Sequence, residues 1–229
     1  MARTKINQFI DRVLKERPQL GKTKQQPTED EVLDSGMELV ELGYMPLNRE
    51  AFSQIATWHA SKTRKGLFLL GDVGTGKTHL MKCLLKNFGN NSSIRIRPMQ
   101  ELVMLWHENK GREGGFWYDA FGIYENRVED SHNYILDDVG QEQVVNYFGE
   151  KMELFSRLIT RIYAGYEQHG NGSYITTNLT RNEFISRYGA RVADRIADMC
   201  ETIEFKGKTL RGSNTTQVSK GEFNKDEIR

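Results

Sequence analysis

Between Leu67 and Gly89 the sequence LFLLGDVGTGKTHLMKCLLKNFG joins an apolar run of strand length to a glycine-rich turn and a helical pattern. Leu80, Met81, Leu84, Leu85 and Phe88 recur at helical spacing, and Gly89 stands where a C-cap glycine belongs. Within this unit Gly71 to Thr78, GDVGTGKT, satisfies the phosphate-loop pattern G-x-x-x-x-G-K-[ST] at every fixed position. Gly71, Gly74 and Gly76 let the backbone turn its N–H groups inward, and the helix N-terminus adds its dipole, so the loop makes a concave anion site. The expected binding set is Gly71, Asp72, Val73, Gly74, Thr75, Gly76, Lys77 and Thr78, with His79 adjoining. Lys77 is placed to reach β and γ phosphates, and the Thr78 hydroxyl to bind Mg²⁺.

At 229 residues the chain has room for one sizeable core and a small appendage. No apolar run of about 18 residues occurs, so no membrane span is expected. The first residues, MARTKINQFIDRV, lack an apolar h-region and a small-residue cleavage site, so no export signal is expected either. Cys83 and Cys200 stand far apart, without a CxxC or a histidine at metal spacing, which argues against a zinc site and for a reducing compartment. The cytoplasm is the expected location. With 32 basic against 31 acidic residues the net charge is +1, so any contact with nucleic acid must come from a local patch.

Residues 5–17 place Ile6, Phe9, Ile10, Val13 and Leu14 on one helical stripe that Pro18 closes. The polar stretch QLGKTKQQPTED reads as a linker. Thr28 with Glu31 has capping-box spacing and predicts a second helix ending near Gly43; a third begins after Asn48 with Phe52, Ile55 and Ala56 inward. Beyond the phosphate-loop helix, SIRIR (93–97) alternates like a strand and QELVMLWHENK reads as helical. Residues 111–133 are glycine-rich, aromatic and charged. YIL (134–136) is a short apolar strand, 152–163 an amphipathic helix, SYITTN (173–178) another strand, and Thr180 with Glu183 caps the helix after it. This alternation predicts an α/β fold with an open, mainly parallel sheet covered by helices on both faces.

A phosphate loop alone binds; hydrolysis also needs an acidic strand end, a water-positioning group and charge neutralisation. YILDDVG supplies acids directly after a buried strand. Asp137 is expected to hold Mg²⁺, and Asp138 to orient or deprotonate the attacking water. ITTN supplies a polar strand end, Asn178, which can set an amide beside the γ-phosphate.

This series resembles a known family. The phosphate loop, the DD and TTN strand ends, RYGARVADRIADMC and FKGKTLRGSN are similar, in that order, to the AAA+ ATPases of the DnaC/DnaI helicase-loader and IstB transposition-helper group. The resemblance covers about residues 48–212. It implies a P-loop NTPase (AAA+) three-layer sandwich over 46–212, preceded by a helical region and linker at 1–45 and followed by a polar tail at 213–229. It also implies ATP with Mg²⁺ as ligands, Asp137 on the metal, Asp138 in water activation and Asn178 as sensor. RVADRI is similar to the family's box with the arginine finger, implying Arg195 as finger with Arg191 beside it, and LRGSN implies Arg211 as second sensor. Arg191 and Arg195 lie at i and i+4 opposite the core stripe of Val192, Ile196 and Met199, although Asp194 and Asp198 are alternative partners for them. Many members carry Glu where Asp138 stands, so slow turnover is expected. An arginine supplied by a neighbour makes activity depend on assembly into a ring or spiral.

The implied partner is a replicative hexameric helicase, with single-stranded DNA as the surface of delivery. A transposase and duplex DNA are the partners under the transposition-helper reading, and a nucleotide-gated adaptor that barely hydrolyses is a third reading. The helix at 5–17 is either part of the core or a docking helix for the partner. No counterpart of the zinc-binding or extended N-terminal domain of some loaders is read here, so region 1–45 is expected to serve instead. Only their position suggests Tyr44 to Leu47 for the base pocket. In 109–128, Lys110 and Arg112 with Phe116, Trp117 and Tyr118 combine cations with aromatics, a pattern suited to stacking single-stranded bases. The alternative is a loop folded back on its own aromatics.

Overall fold

The computed structural model describes residues 26–43, 49–87, 96–122, 135–147, 149–170 and 172–206. The expected helix at 5–17, the C-cap at Gly89, the Tyr44–Leu47 pocket and Arg211 lie outside these residues. Helix α1 (Glu29–Glu41) starts on the expected capping box: Thr28 N donates to Glu31 Oε2 at 2.8 Å and Glu31 N to Thr28 Oγ1 at 3.3 Å. Then follow α2 (Arg49–Ala60), β1 (Gly66–Gly71), α3 (Lys77–Asn87), β2 (Ile96–Pro98), α4 (Met99–Glu108), α5 (Glu113–Phe121) and β3 (Ile135–Val139). A small antiparallel pair, β4 (Val145–Tyr147) and β5 (Glu150–Met152), precedes α6 (Leu154–His169), β6 (Tyr174–Thr177), α7 (Arg181–Tyr188), α8 (Ala190–Met199) and β7 (Cys200–Phe205).

The five-stranded sheet runs β2-β3-β6-β1-β7, and every pairing in it is parallel. Its two faces can be read from β1 alone. Leu67 and Leu69 enter one core with Leu39, Ile55, Leu80, Met81 and Leu84 of α1 to α3. Phe68 and Leu70 enter the other, with Met99, Trp106, Phe155, Ile159, Phe184 and Ile196 of α4 and α6 to α8. Successive strand residues point to opposite faces, so an unbroken apolar strand needs helices above and below. The protein is a three-layer α/β sandwich with a parallel sheet. Each fully buried Leu or Phe of β1 contributes about 1.5 to 3 kcal/mol. Among the described residues no helix is long and apolar enough to cross a membrane.

Several elements differ from expectation. Of SIRIR only the end is described, as part of β2, whose three residues run on to Pro98. Helix α6 extends to His169, beyond the expected end near 163, because Tyr166 continues the packed stripe until Gly170 closes it at φ 71°.

The larger correction concerns the aromatic segment. Residues 113–121 form α5, and Phe116 and Trp117 are only 1% and 2% exposed. Phe116 meets Trp106 edge-on at 5.3 Å between ring centres. Phe116, Trp117 and Ala120 share one face of the helix, and Glu113 at its first turn is gripped by Arg157 and Arg161 of α6, the latter at 3.1 Å. Two of the aromatics expected to stack bases are therefore core residues, whereas Lys110, Arg112 and Tyr118 remain at the surface.

Trp117→Ala should lower the unfolding free energy by about 3 to 5 kcal/mol, whereas Tyr118→Ala should change it by less than about 0.5 kcal/mol. Urea denaturation of both variants checks this; equal stabilities would contradict the assignment of Trp117 to the core.

Candidate functional site

All three polar signals of the sequence come together at the carboxyl end of the sheet. Strands β3, β6 and β1 are neighbours, so the DD end, the TTN end and the phosphate loop emerge side by side. This is where open parallel sheets bind ligands, since the crossovers leave a crevice beyond the strand ends. The loop is shaped by Gly71, Gly74 and Gly76 at φ 137°, 83° and 98°. Gly71 is needed for space as well, because a Cβ there would lie 2.2 Å from the Phe205 carbonyl oxygen of β7. At Gly76 a Cβ would meet nothing within 4 Å, so this glycine answers the backbone angle alone.

Lys77 is 4% exposed and its ammonium is held at the centre. It donates to Gly71 O at 2.7 Å, to Asp72 O at 2.8 Å and to Asn178 Oδ1 at 2.8 Å. The Asn178 amide then turns its nitrogen to Asp138, with Nδ2 donating to Oδ1 at 3.1 Å. One amide thus connects the phosphate-loop lysine to the second acid. Its two hydrogen bonds fix which end is oxygen and which is nitrogen.

Both aspartates reach the strand end because β3 is irregular at this point. Its register against β6 shifts between Leu136 and Val139, and Asp138 adopts a left-handed φ of 54°. That conformation costs about 1 to 2 kcal/mol for a residue with a side chain. In return Asp137 points inward, 6% exposed, while Asp138 faces solvent. Asp137 Oδ1 accepts from Thr78 Oγ1 at 3.0 Å and from Thr176 Oγ1 at 2.5 Å. A hydroxyl beside a carboxylate at a helix N-terminus is a donor set suited to Mg²⁺, which typically takes one or two carboxylates and completes its shell with waters and phosphate oxygens. Lys77, the inward-turning loop and this pair together fit a nucleotide phosphate chain with its metal.

Sequence reasoning missed Thr176. Its hydroxyl donates to Asp137 and accepts the Asp138 backbone N–H at 3.0 Å, so one buried side chain sets both acids. The signal was available, since two hydroxyls inside a central strand are polar atoms that burial obliges to find partners. Thr177 does the same for the irregularity, donating to Val139 O at 2.6 Å.

The arginines lie elsewhere. Arg191 and Arg195 are carried by α8 with Val192, Ile196 and Met199 buried behind them, as expected. Arg195 Nη1 donates to Thr160 Oγ1 at 2.7 Å, and its guanidinium lies 5.5 Å from the centre of the Tyr163 ring. Tyr163 in turn donates to Asp198 at 2.9 Å, a bond that pushes its pKa up to about 12. The partners of Arg195 are thus hydroxyl and ring on α6, not the Asp194 or Asp198 carboxylates weighed in the sequence. His79 turns away from the phosphate loop toward the end of α1, its Nε2 3.0 Å from Gly43 O.

The chain is a three-layer α/β domain with a phosphate loop at the carboxyl end of a parallel sheet. No family model and no curated protein matches it. Solved structures do. It is similar to a DnaC helicase loader at 23% identity, covering 80% of this chain and 94% of that one, with a TM-score of 0.46. It is similar to a putative primosome component from Streptococcus pyogenes serotype M3 at 14% identity, covering 78% and 81%, with a TM-score of 0.48. A third likeness is to AMPPCP-bound DnaA from Aquifex aeolicus at 18% identity, covering 62% and 41%, with a TM-score of 0.43. The reading of the site rests on the strand order and the contacts above.

Thr176→Val keeps the shape and strands the Asp138 N–H, so it should destabilise the protein by about 1 to 3 kcal/mol, whereas Thr176→Ser should recover most of the loss. Chemical denaturation of the two variants checks this, and equal losses would mean that packing rather than the hydroxyl matters.

Proposed function

We propose that this protein is an ATPase of the AAA+ type that binds ATP with Mg²⁺, hydrolyses it slowly, and delivers a replicative hexameric helicase onto single-stranded DNA. The observation that carries the catalytic part is the unbroken chain Lys77–Asn178–Asp138 beside the Thr78–Asp137 pair. It brings a cation, an amide and an exposed carboxylate into one crevice, which supports a reading in which they meet the phosphates, the γ-phosphate and the attacking water. ATP bound there supplies the phosphoanhydride to be cleaved, and Mg²⁺ the charge to neutralise it. Lys77 and the loop amides bind the phosphates, Thr78 and Asp137 hold the metal, Asn178 orients Asp138, and Asp138 orients the water or takes its proton.

The delivery role rests on the order of motifs from the phosphate loop to LRGSN, with 1–45 as docking region, 46–212 as ATPase domain and 213–229 as tail. Arg195, at the surface of α8, is the finger offered to a neighbouring subunit in a ring or spiral, with Arg191 beside it and Arg211 as a sensor in the same subunit. A second reading gains from one observation. With Phe116 and Trp117 in the core, the exposed set Lys110, Arg112 and Tyr118 is better suited to phosphates than to successive bases, as a transposition helper on duplex DNA would need.

The test is steady-state ATP hydrolysis over a range of protein concentration, with single-stranded or duplex DNA. Stimulation by single strands, with a rate per subunit that rises with concentration, is expected. Preference for duplex would favour the transposition helper, and tight ATP binding without turnover would leave only a nucleotide-gated adaptor. Lys77→Ala should abolish nucleotide binding, and Asp138→Asn should cut turnover by about 10² to 10⁴ while sparing binding. Arg195→Ala should lose about 10³-fold or more. Mixing it with Asp138→Asn should restore part of the rate, because each variant then supplies what its neighbour lacks; no recovery would place Arg195 outside the trans site.

A further inference from the structure

A buried charged cluster lies directly behind the acids. After Asp138 the chain makes a tight turn, with Gln141 N donating to Asp138 O at 3.3 Å and Gly140 at φ 102°. This is the position where a type II turn needs glycine. Space demands it too, because a Cβ on Gly140 would lie 2.6 Å from Leu179, the residue after Asn178. The turn's polar groups are then taken up by side chains from distant elements. Glu142 folds back so that its Oε2 accepts Gly140 N at 2.7 Å. From the last turn of α7, Arg187 donates through Nη1 to Gly140 O and through Nη2 to Glu142 O, both at 2.6 Å. Its Nη2 also meets Glu153 at 3.2 Å and lies 3.6 Å from Glu142 Oε1. Tyr188 donates to the same carboxylate, and burial together with the Glu142 charge pushes the phenol pKa upward, so it stays a donor.

This is an expensive arrangement for a turn. The Glu142 side chain is fully buried, and buried ion pairs add little stability over apolar packing of the same volume. The Arg187 Nε is itself buried with no acceptor among the described residues. What the guanidinium does achieve is geometric: a planar fork holds two carbonyls of one turn at fixed positions, which lysine cannot do. Those carbonyls belong to residues two and four beyond Asp138. Helix α7 meanwhile begins beside Asn178, which holds the Asp138 carboxylate directly. Asp138 is therefore held at its side chain from the start of α7 and at its backbone exit from the end of the same helix.

We propose that Arg187, with Glu142 as its buried counter-charge, is a positioning residue for ATP hydrolysis, holding the Asp138 turn so that the strained carboxylate stays aimed at the attacking water. The proposal rests on the ATPase reading above. A purely structural ion pair would weaken the whole protein; a positioning clamp acts only through Asp138.

The experiment compares Arg187→Lys and Glu142→Gln with the full-length wild-type protein, in the presence of the DNA that stimulates it best. Arg187→Lys keeps the charge and loses the fork. Glu142→Gln is isosteric but cannot accept from both Gly140 N and Tyr188. Each should lower kcat by about tenfold or more, as expected for misplacement of a reacting group. KM for ATP and the affinity for a fluorescent ATP analogue should stay within about twofold. In an Asp138→Asn background, followed by single-turnover hydrolysis, Arg187→Lys should add less than about a twofold further loss, because the two act as a unit. A full additional tenfold loss there, or a drop in nucleotide affinity parallel to a drop in melting temperature, would overturn the positioning role. Turnover that responds to Asp138→Asn but to neither clamp variant would overturn this proposal and leave the ATPase reading intact. A wild-type protein that binds ATP and never hydrolyses it would overturn both.

Discussion

One buried carboxylate oxygen ties the site together. Asp137 Oδ1 takes a hydroxyl from Thr78 at the start of α3 and another from Thr176 in β6. A carboxylate 6% exposed must have donors, and these two come from the elements that flank the crevice. The same contact sets the distance between the phosphate loop and the acidic strand across the intervening β6. Because Thr176 also receives the Asp138 N–H, the second acid is placed by reference to the first. A change at Thr176 would move the Asp137 and Asp138 carboxylates together.

The local cost of this arrangement is concentrated in β3. A regular strand would send Asp137 and Asp138 to opposite faces of the sheet, and one of them would enter an apolar core. The register shift and the left-handed Asp138 avoid that by turning both toward the strand end. Thr177 on the adjacent strand satisfies the carbonyl freed at Val139, and the turn beyond is satisfied by Glu142 and Arg187. Strain at functional residues persists only where surrounding contacts over-determine it. Here the surrounding contacts are hydrogen bonds to backbone groups of the strained segment itself.

Much of this was legible in the sequence, and the remainder was not for definite reasons. GDVGTGKT, DD and TTN each carry their meaning locally, and so do the Thr28–Glu31 and Thr180–Glu183 capping boxes, both present with reciprocal bonds. The stripe of α8 followed from its period alone. Aromatic content between 109 and 128, by contrast, does not distinguish a stacking platform from a core wedge. What decides is that Phe116, Trp117 and Ala120 fall on one helical face and Tyr118 on the other, a period that a glycine-rich, charged segment obscures. What Thr176 and the Glu142–Arg187 pair bond to was illegible for another reason. Their partners stand 39 and 45 residues away, and the roles exist only once the parallel register brings them together.

The order of elements after Asn178 gives the site its reach. From that residue the chain passes through Leu179 into α7, turns at Gly189 with φ 85°, and continues as α8 into β7, which pairs with β1 beneath the phosphate loop. Asn178 thus stands just before α7 and Arg195 on α8, two consecutive helices packed on the same core, with Arg187 between them fastened to the Asp138 turn. Arg195 is itself braced by Thr160 and Tyr163 of α6, so its guanidinium is offered from a defined place rather than from a free side chain. A long cation gains most from such bracing, because ordering it from a mobile state costs about 1.5 to 2 kcal/mol of side-chain entropy at the moment of contact. The chain's own geometry therefore joins the Lys77–Asn178–Asp138 groups to the surface that carries Arg195.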